Sequence, residues 1–266
     1  YRMGDFYEMF FEDAEIASAA LGIVLTRRGK HRGEDIPMCG VPVHAAQDYL
    51  KKLIALGHRV AVCEQVEDPA EARKRGGKSP VRRDVVRLVT RGTITEDDLL
   101  PARASNHLCA IAMLRHGETD FALAWADVST GETAVIDVPL TAIADELARI
   151  APAEILMTEV TRAALAEAGV ATGEAAVAIL EADAFDSSAA AERLSAAYGT
   201  AAFDPTALTR GARAALAALV GYVRESQKGA PLALRPPTAE RPAAHMAIDA
   251  ATRASLELLE TQRGTE

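Results

Sequence analysis

The residues best equipped for chemistry stand within the first ten positions. Gly4-Asp5-Phe6-Tyr7-Glu8 sets an aromatic side chain two residues before a carboxylate. One use of this spacing is structural. Asp5 followed by Glu8 fits the N-cap and third-position acid of a helix, with Phe6 or Tyr7 anchoring the first turn. The other use is mechanical. An aromatic ring pushed between base pairs from the minor groove costs a few kcal/mol of stacking, which the contacts made by the bent duplex repay. That cost is smallest where pairing is already defective, so such a wedge tests deformability rather than sequence. A carboxylate beside the wedge makes sense if it accepts a hydrogen bond from a displaced base, or donates one once protonated. Spacing alone leaves both uses open.

Positive charge is clustered in the same part of the chain. One cluster is Arg27, Arg28, Lys30 and Arg32; the other runs Arg73, Lys74, Arg75, Lys78, Arg82, Arg83, Arg87 and Arg91, with Asp84 as its only acid. The chain has a net charge of −9, but the first 105 residues are nearly balanced and the acidic excess lies in the remainder. Phosphate contacts are therefore expected only from the first third. Gly77-Lys78-Ser79 imitates a phosphate-binding loop but lacks it, because Ala72 stands where the first glycine is required. The six histidines show no paired metal spacing with each other or with Cys39, Cys63 and Cys109. Three scattered cysteines suit a reducing compartment rather than a disulfide framework. No apolar run approaches the roughly 18 residues of a membrane span.

The elements that must position these residues read as follows. Met9, Phe10, Ile16, Ala17, Ala20 and Leu21 recur at helical spacing and stop at Gly22, with a short β-prone run over 23–26. Residues 44–56 read as a helix, 59–66 and 84–90 as strands, and 68–80 as a basic loop. A boundary is expected near 101–106. Beyond it, 107–114, 120–128 and 132–137 read as a strand meander, 141–150 as a helix and 154–157 as a buried strand, the order of a ribonuclease H-like fold. A two-metal nuclease is the alternative this order raises. Its first strand carries no acid, and Asp127 fits better as the cap of the turn at Ser129–Gly131. Residues 158–203 give no clear pattern. Asp204-Pro205 reads as the capped start of a helix striped by Leu208, Ala212, Ala215, Leu216, Leu219 and Val223. Residues 229–242 read as extended linker, and 248–260 as the start of a helix belonging to a longer protein.

The decapeptide Tyr1-Arg2-Met3-Gly4-Asp5-Phe6-Tyr7-Glu8-Met9-Phe10 resembles the mismatch-recognition motif of the MutS family of bacterial DNA mismatch repair proteins. The similarity continues through Leu25–Gly29, Ile36–His44, Val60–Val66 and Val85–Thr90. Asp127–Gly131 resembles the family's connector, and Asp249–Arg253 the entry to its lever and core. The resemblance implies a multidomain α/β chain: a mixed α/β mismatch-recognition domain over 1–105, a ribonuclease H-like connector over 106–229 running into a first lever helix, and over 230–266 a linker and the start of an all-α region. It implies that Phe6 stacks on a mispaired base and Glu8 hydrogen-bonds to it, with Met3, Arg27, Arg28, Lys30, Arg82, Arg83 and Arg87 as candidates for the backbone. The implied partner is double-stranded DNA with mismatches or small loops, in a bacterial cytoplasm at the nucleoid. ATP and Mg²⁺, self-association as a homodimer and MutL are implied for the whole protein, with the nucleotide site beyond residue 266. No catalytic residue or cofactor is expected within this chain; a non-catalytic interaction scaffold is the remaining alternative.

Overall fold

The computed structural model describes residues 1–74, 81–95, 100, 106–114, 120–228, 231–241, 252 and 255. Contacts divide the chain into two compact units, one built on Tyr1–Arg91 and the other on Leu100–Arg224 with the segment 231–241.

The first unit contains a four-stranded antiparallel sheet of β1 (Arg2–Met3), β2 (Phe6–Phe10), β3 (Thr26–His31) and β4 (Glu34–Pro42), in the order β1-β2-β4-β3. Helix α1 (Phe11–Leu21) follows β2 directly, and α2 (Ala46–Ala55) follows a 3-10 turn after β4. Residues 6–8 are therefore strand, and the capped-helix use of Asp5 and Glu8 is corrected. The helix begins only at Phe11, its N-cap is Phe10, and no side chain caps it. Gly22 does end it, in the left-handed conformation at φ 68°. Strand β3 covers six exposed residues starting at Thr26, not the apolar 23–26 run. Charge on an exposed edge strand discourages pairing with another chain. β4 escaped the sequence because Pro37, Gly40 and Pro42 are strand breakers by propensity. Pro37 lies opposite Arg27, beside the register shift of the β3–β4 ladder, where a missing N–H is tolerated.

β5 (Val60–Gln65) and β6 (Arg83–Val89) form a separate antiparallel pair, close to the two strands expected. The basic loop contains a short helix, α3 (Pro69–Lys74). Arg75, Lys78 and the Gly77-Lys78-Ser79 decoy lie outside the described residues, as does the boundary over 101–105.

The second unit is a six-stranded mixed sheet, in the order β11-β10-β7-β8-β9-β12. The meander is β7 (His107–Met113), β8 (Asp120–Asp127) and β9 (Thr133–Pro139), followed by α4 (Ile143–Ile150) and by β10 (Glu154–Met157), which runs parallel to β7. The alanine-rich stretch supplies α5 (Glu159–Glu167), β11 (Ala176–Ile179) and α6 (Ser187–Tyr198). This is the ribonuclease H-like order.

Alternation along β7 and β8 explains the packing. Cys109, Ile111, Phe121, Leu123 and Trp125 face α4 and α5. Ala110, Ala112, Ala122, Ala124 and Ala126 face the other way, onto α6 and α7 (Arg210–Ser226). An alanine face lets a helix approach closely, and a Cβ built at Gly211 would come within 3.0 Å of the Ala122 Cβ. The stripe Ala212, Ala215, Leu216, Leu219 and Val223 is thus buried in this core. Asp204 caps only a 3-10 turn. Thr209, whose Oγ1 accepts from Ala212 N at 3.1 Å, caps α7 itself. The segment expected to be linker docks instead. Leu234 is buried, Arg235 N donates to the Gly131 carbonyl at 2.8 Å, and β12 (Thr238–Ala239) pairs with β9. The helix expected over 248–260 lies outside the described residues, apart from helical Thr252 and Ser255.

Asp127 ends β8, where its Oδ1 accepts from Ser129 N at 2.9 Å, Ser129 Oγ at 2.5 Å and Thr130 N at 3.3 Å, and its Oδ2 from Asn106 N at 3.4 Å. Burial alone would raise its pKa, but these hydrogen bonds, led by Ser129, outweigh burial and hold the carboxyl below its ordinary value. Its stabilising effect is therefore present above the unfolded carboxyl's pKa and is lost as pH falls through the lower folded value. Replacing Asp127 with Asn should cost about 1–2 kcal/mol at pH 7. The gap between wild type and variant should close below about pH 4, read by urea denaturation across pH. A gap unchanged with pH would show that the charge contributes nothing.

Candidate nucleic-acid interface

Strand alternation sorts the first residues onto two faces of the four-stranded sheet. Met9 points inward with Cys39, against Ala14 and Ala17 of α1. Tyr7, also off the outer face, donates its hydroxyl to Glu64 of β5, while Arg2 lies 3.7 Å from Glu64 and over the Tyr7 ring. Burial, then the bond to Glu64, pushes the Tyr7 hydroxyl above its ordinary pKa. These contacts fasten β2 from beneath.

The opposite face carries Phe6 and Glu8. Register pairs Met3 with Phe6 across β1, and Gly40 with Glu8 across β4. Phe6 is 47% exposed, a large apolar ring left in water beside charge. Glu8 is turned toward Arg28 of β3, whose Nη1 donates to both carboxylate oxygens at 2.7 and 2.5 Å. Gly40 keeps this face open. A Cβ there would stand 3.3 Å from the Tyr7 carbonyl oxygen, 3.5 Å from Glu8 Cγ and 3.8 Å from Phe6 Cδ1. At the end of β2 the chain turns sharply, with Phe11 held at φ 56° and its ring edge-on to His31. A left-handed conformation at a bulky residue costs about 1–2 kcal/mol.

The structure brings Met3, Phe6, Glu8 and Arg28 together on one face. Arg27 and Lys30 are exposed on the same edge strand and share Asp35, at 3.3 and 3.9 Å. The hairpin turn beyond them, Arg32-Gly33, has positive φ at both residues, as a type I′ turn requires. Arg82 is exposed at the start of the β6 arm. Arg83 is engaged internally, its Nε donating to the Arg2 carbonyl at 2.9 Å and its Nη1 to that of Val81 at 3.0 Å. Arg87 is half-buried, with Nε and Nη2 shielded from solvent. Sequence reasoning missed the Arg2–Tyr7–Glu64 support and the spacing role of Gly40. Only a correct strand assignment for 34–42 would have shown the latter.

Residues 1–98 match the family model "MutS domain I", and residues 106–236 match "MutS domain II". The chain belongs to the MutS family. Relatives named DNA mismatch repair protein MutS include those of Azorhizobium caulinodans, 54% identical over 99% of this chain, and Rhodopseudomonas palustris strain HaA2, 56% identical over 99%. A third, from Nitrobacter winogradskyi, is 53% identical over 99%. The chain spans 29–30% of the length of these MutS relatives.

Gly40→Val should crowd Phe6 and Glu8 and displace the Arg28 pair. Overpacking of this kind costs about 1–3 kcal/mol, measurable by chemical denaturation. An unchanged midpoint would mean that the face has room to spare.

Proposed function

We propose that this chain is the mismatch-reading part of a DNA mismatch repair protein. The observation that carries the reading is Phe6, a half-exposed ring on the open face of the MutS domain I sheet with Glu8 next on the same side. A rigid strand is a better mount for a wedge than a frayed helix start, because the ladder to β4 fixes the ring's direction. In this mechanism Arg27, Lys30 and Arg82 follow the phosphates without reading sequence. Phe6 presses into the minor groove, the duplex kinks where pairing is weak, and Glu8 takes a hydrogen bond from the displaced base.

The whole protein would add what this chain does not carry. By family membership we assign it ATP and Mg²⁺ at a site beyond residue 266, a homodimeric state, MutL as partner and a place in the bacterial cytoplasm at the nucleoid. No described helix is long and apolar enough to cross a membrane. Nothing favours the nuclease reading: β7 bears no acid, and Asp127 is engaged at both oxygens, Oδ1 by the turn and Oδ2 by the Asn106 amide.

In the full-length protein, Phe6→Ala should bring the affinity ratio for mismatched over matched duplex to about one, while weak salt-dependent binding survives. Titration of both duplexes at two salt concentrations reads this directly. A variant that kept full discrimination would remove the wedge.

A further inference from the structure

A carboxylate on a DNA-facing surface poses an electrostatic problem that the geometry answers. Glu8 would stand among phosphates, where an unpaired negative charge opposes binding of any duplex. Its side chain is only 13% exposed, and it is clamped by Arg28 through a single nitrogen, Nη1, at 2.5 and 2.7 Å. The Arg28 side chain is 54% exposed, and its Nε and Nη2 make no hydrogen bond among the described residues. A guanidinium carries five N–H donors in a planar fork suited to oxyanions. Arg28 can thus hold the carboxylate with one arm while its other donors face the solvent that DNA would displace. Arg27 and Lys30 differ, because they pair with Asp35 and do not touch Glu8.

We propose that Arg28 is a specificity-determining positioning residue: the Arg28–Glu8 ion pair is the resting state of the base-reading carboxylate, and a displaced base takes Glu8 only by releasing Arg28 to a backbone phosphate. On matched duplex no base donor reaches Glu8, the pair stays closed, and the carboxylate's charge is masked. On a mismatch the base N–H replaces Nη1 at the carboxylate, and the guanidinium exchanges one oxyanion for another. No charge is left unpaired at either stage. This inference rests on the assignment of Glu8 as a base contact.

The test is a double-mutant cycle of Glu8→Gln and Arg28→Gln in the full-length protein, with fluorescent matched and single-mismatch duplexes at several salt concentrations. Arg28 lies on an exposed edge strand, and a melting temperature close to wild type is the control for folding. Three results are expected. Arg28→Gln should weaken matched-duplex binding by about tenfold when Glu8 is present, and at least about fivefold less in the Glu8→Gln background, a non-additivity typical of contacting residues. Wild type should show a log–log salt slope about 0.9 steeper on mismatched than on matched duplex, one extra phosphate, and Arg28→Gln should abolish that difference. Arg28→Lys should keep the matched-duplex affinity but only part of the mismatch gain, since a point charge lacks the planar fork that matches the phosphate oxygens taken in the exchange. Additive losses with equal salt slopes would make Arg28 an ordinary phosphate contact and overturn the proposal. If Glu8→Ala, which removes the acceptor that Gln retains, left discrimination untouched, the base-contact assignment itself would fall. Loss of discrimination in Glu8→Ala with additive Arg28 effects in the cycle would sink only the exchange.

Discussion

The register of β2 against β4 is the constraint on which the first unit depends. Pairing Glu8 with Gly40 and Phe6 with Pro42 sends Tyr7 and Met9 to the packed side and leaves Phe6 and Glu8 on the open one. A slip of one residue would exchange the two sets, burying the carboxylate against α1 and putting Tyr7 in solvent. The slip is opposed from several directions. Met9 fills the pocket beside Ala14 and Cys39, Tyr7 is tied to Glu64, and the Val43 amide donates to the Asp5 carbonyl at 2.9 Å. An exposed ring can therefore be aimed without being packed, because its neighbours in sequence are packed for it.

The second unit meets a different demand with the same period of two. Its central strands divide small from large residues across the sheet, so one layer of helices sits close and the other is filled by bulky side chains. Glu154, nearly inaccessible between these layers, is satisfied at both oxygens. Tyr222 of α7 donates to Oε1 at 2.7 Å and the Gly92 amide to Oε2 at 2.8 Å. A buried acid with both oxygens engaged fixes the strand to the helix that covers it, since leaving either donor without an acceptor would cost about 1–3 kcal/mol.

Legibility in the sequence followed local physics. The meander, α4 and β10 were readable because their apolar residues alternate cleanly or repeat at helical spacing. α7 was readable as a helix, but its place against the second sheet was not. Its alanine stripe looks weakly apolar, and only the matching alanines of β7 and β8 reveal where it packs. The strand at 6–10 was hidden by a convincing helix signal, Asp5 and Glu8 at capping distance, because three residues of spacing cannot tell a cap from a strand that precedes a helix. β4 was hidden by its prolines. Family resemblance pointed to Phe6 and Glu8 as candidates for base contact, but the Glu8–Arg28 pair joins residues 20 apart, and no pattern along the chain foretells it.

The division of small and large residues across the second sheet has an evolutionary consequence. Its two faces should accept different kinds of change. On the bulky face, Ile and Leu can exchange at nearly constant volume, and such swaps usually cost below about 1.5 kcal/mol. On the alanine face added bulk meets α7, where even a Cβ built at Gly211 would stand 3.0 Å from the Ala122 Cβ. Drift can therefore rewrite one side of this sheet while the other stays nearly fixed, not because it reads anything, but because it sets the gap between two layers.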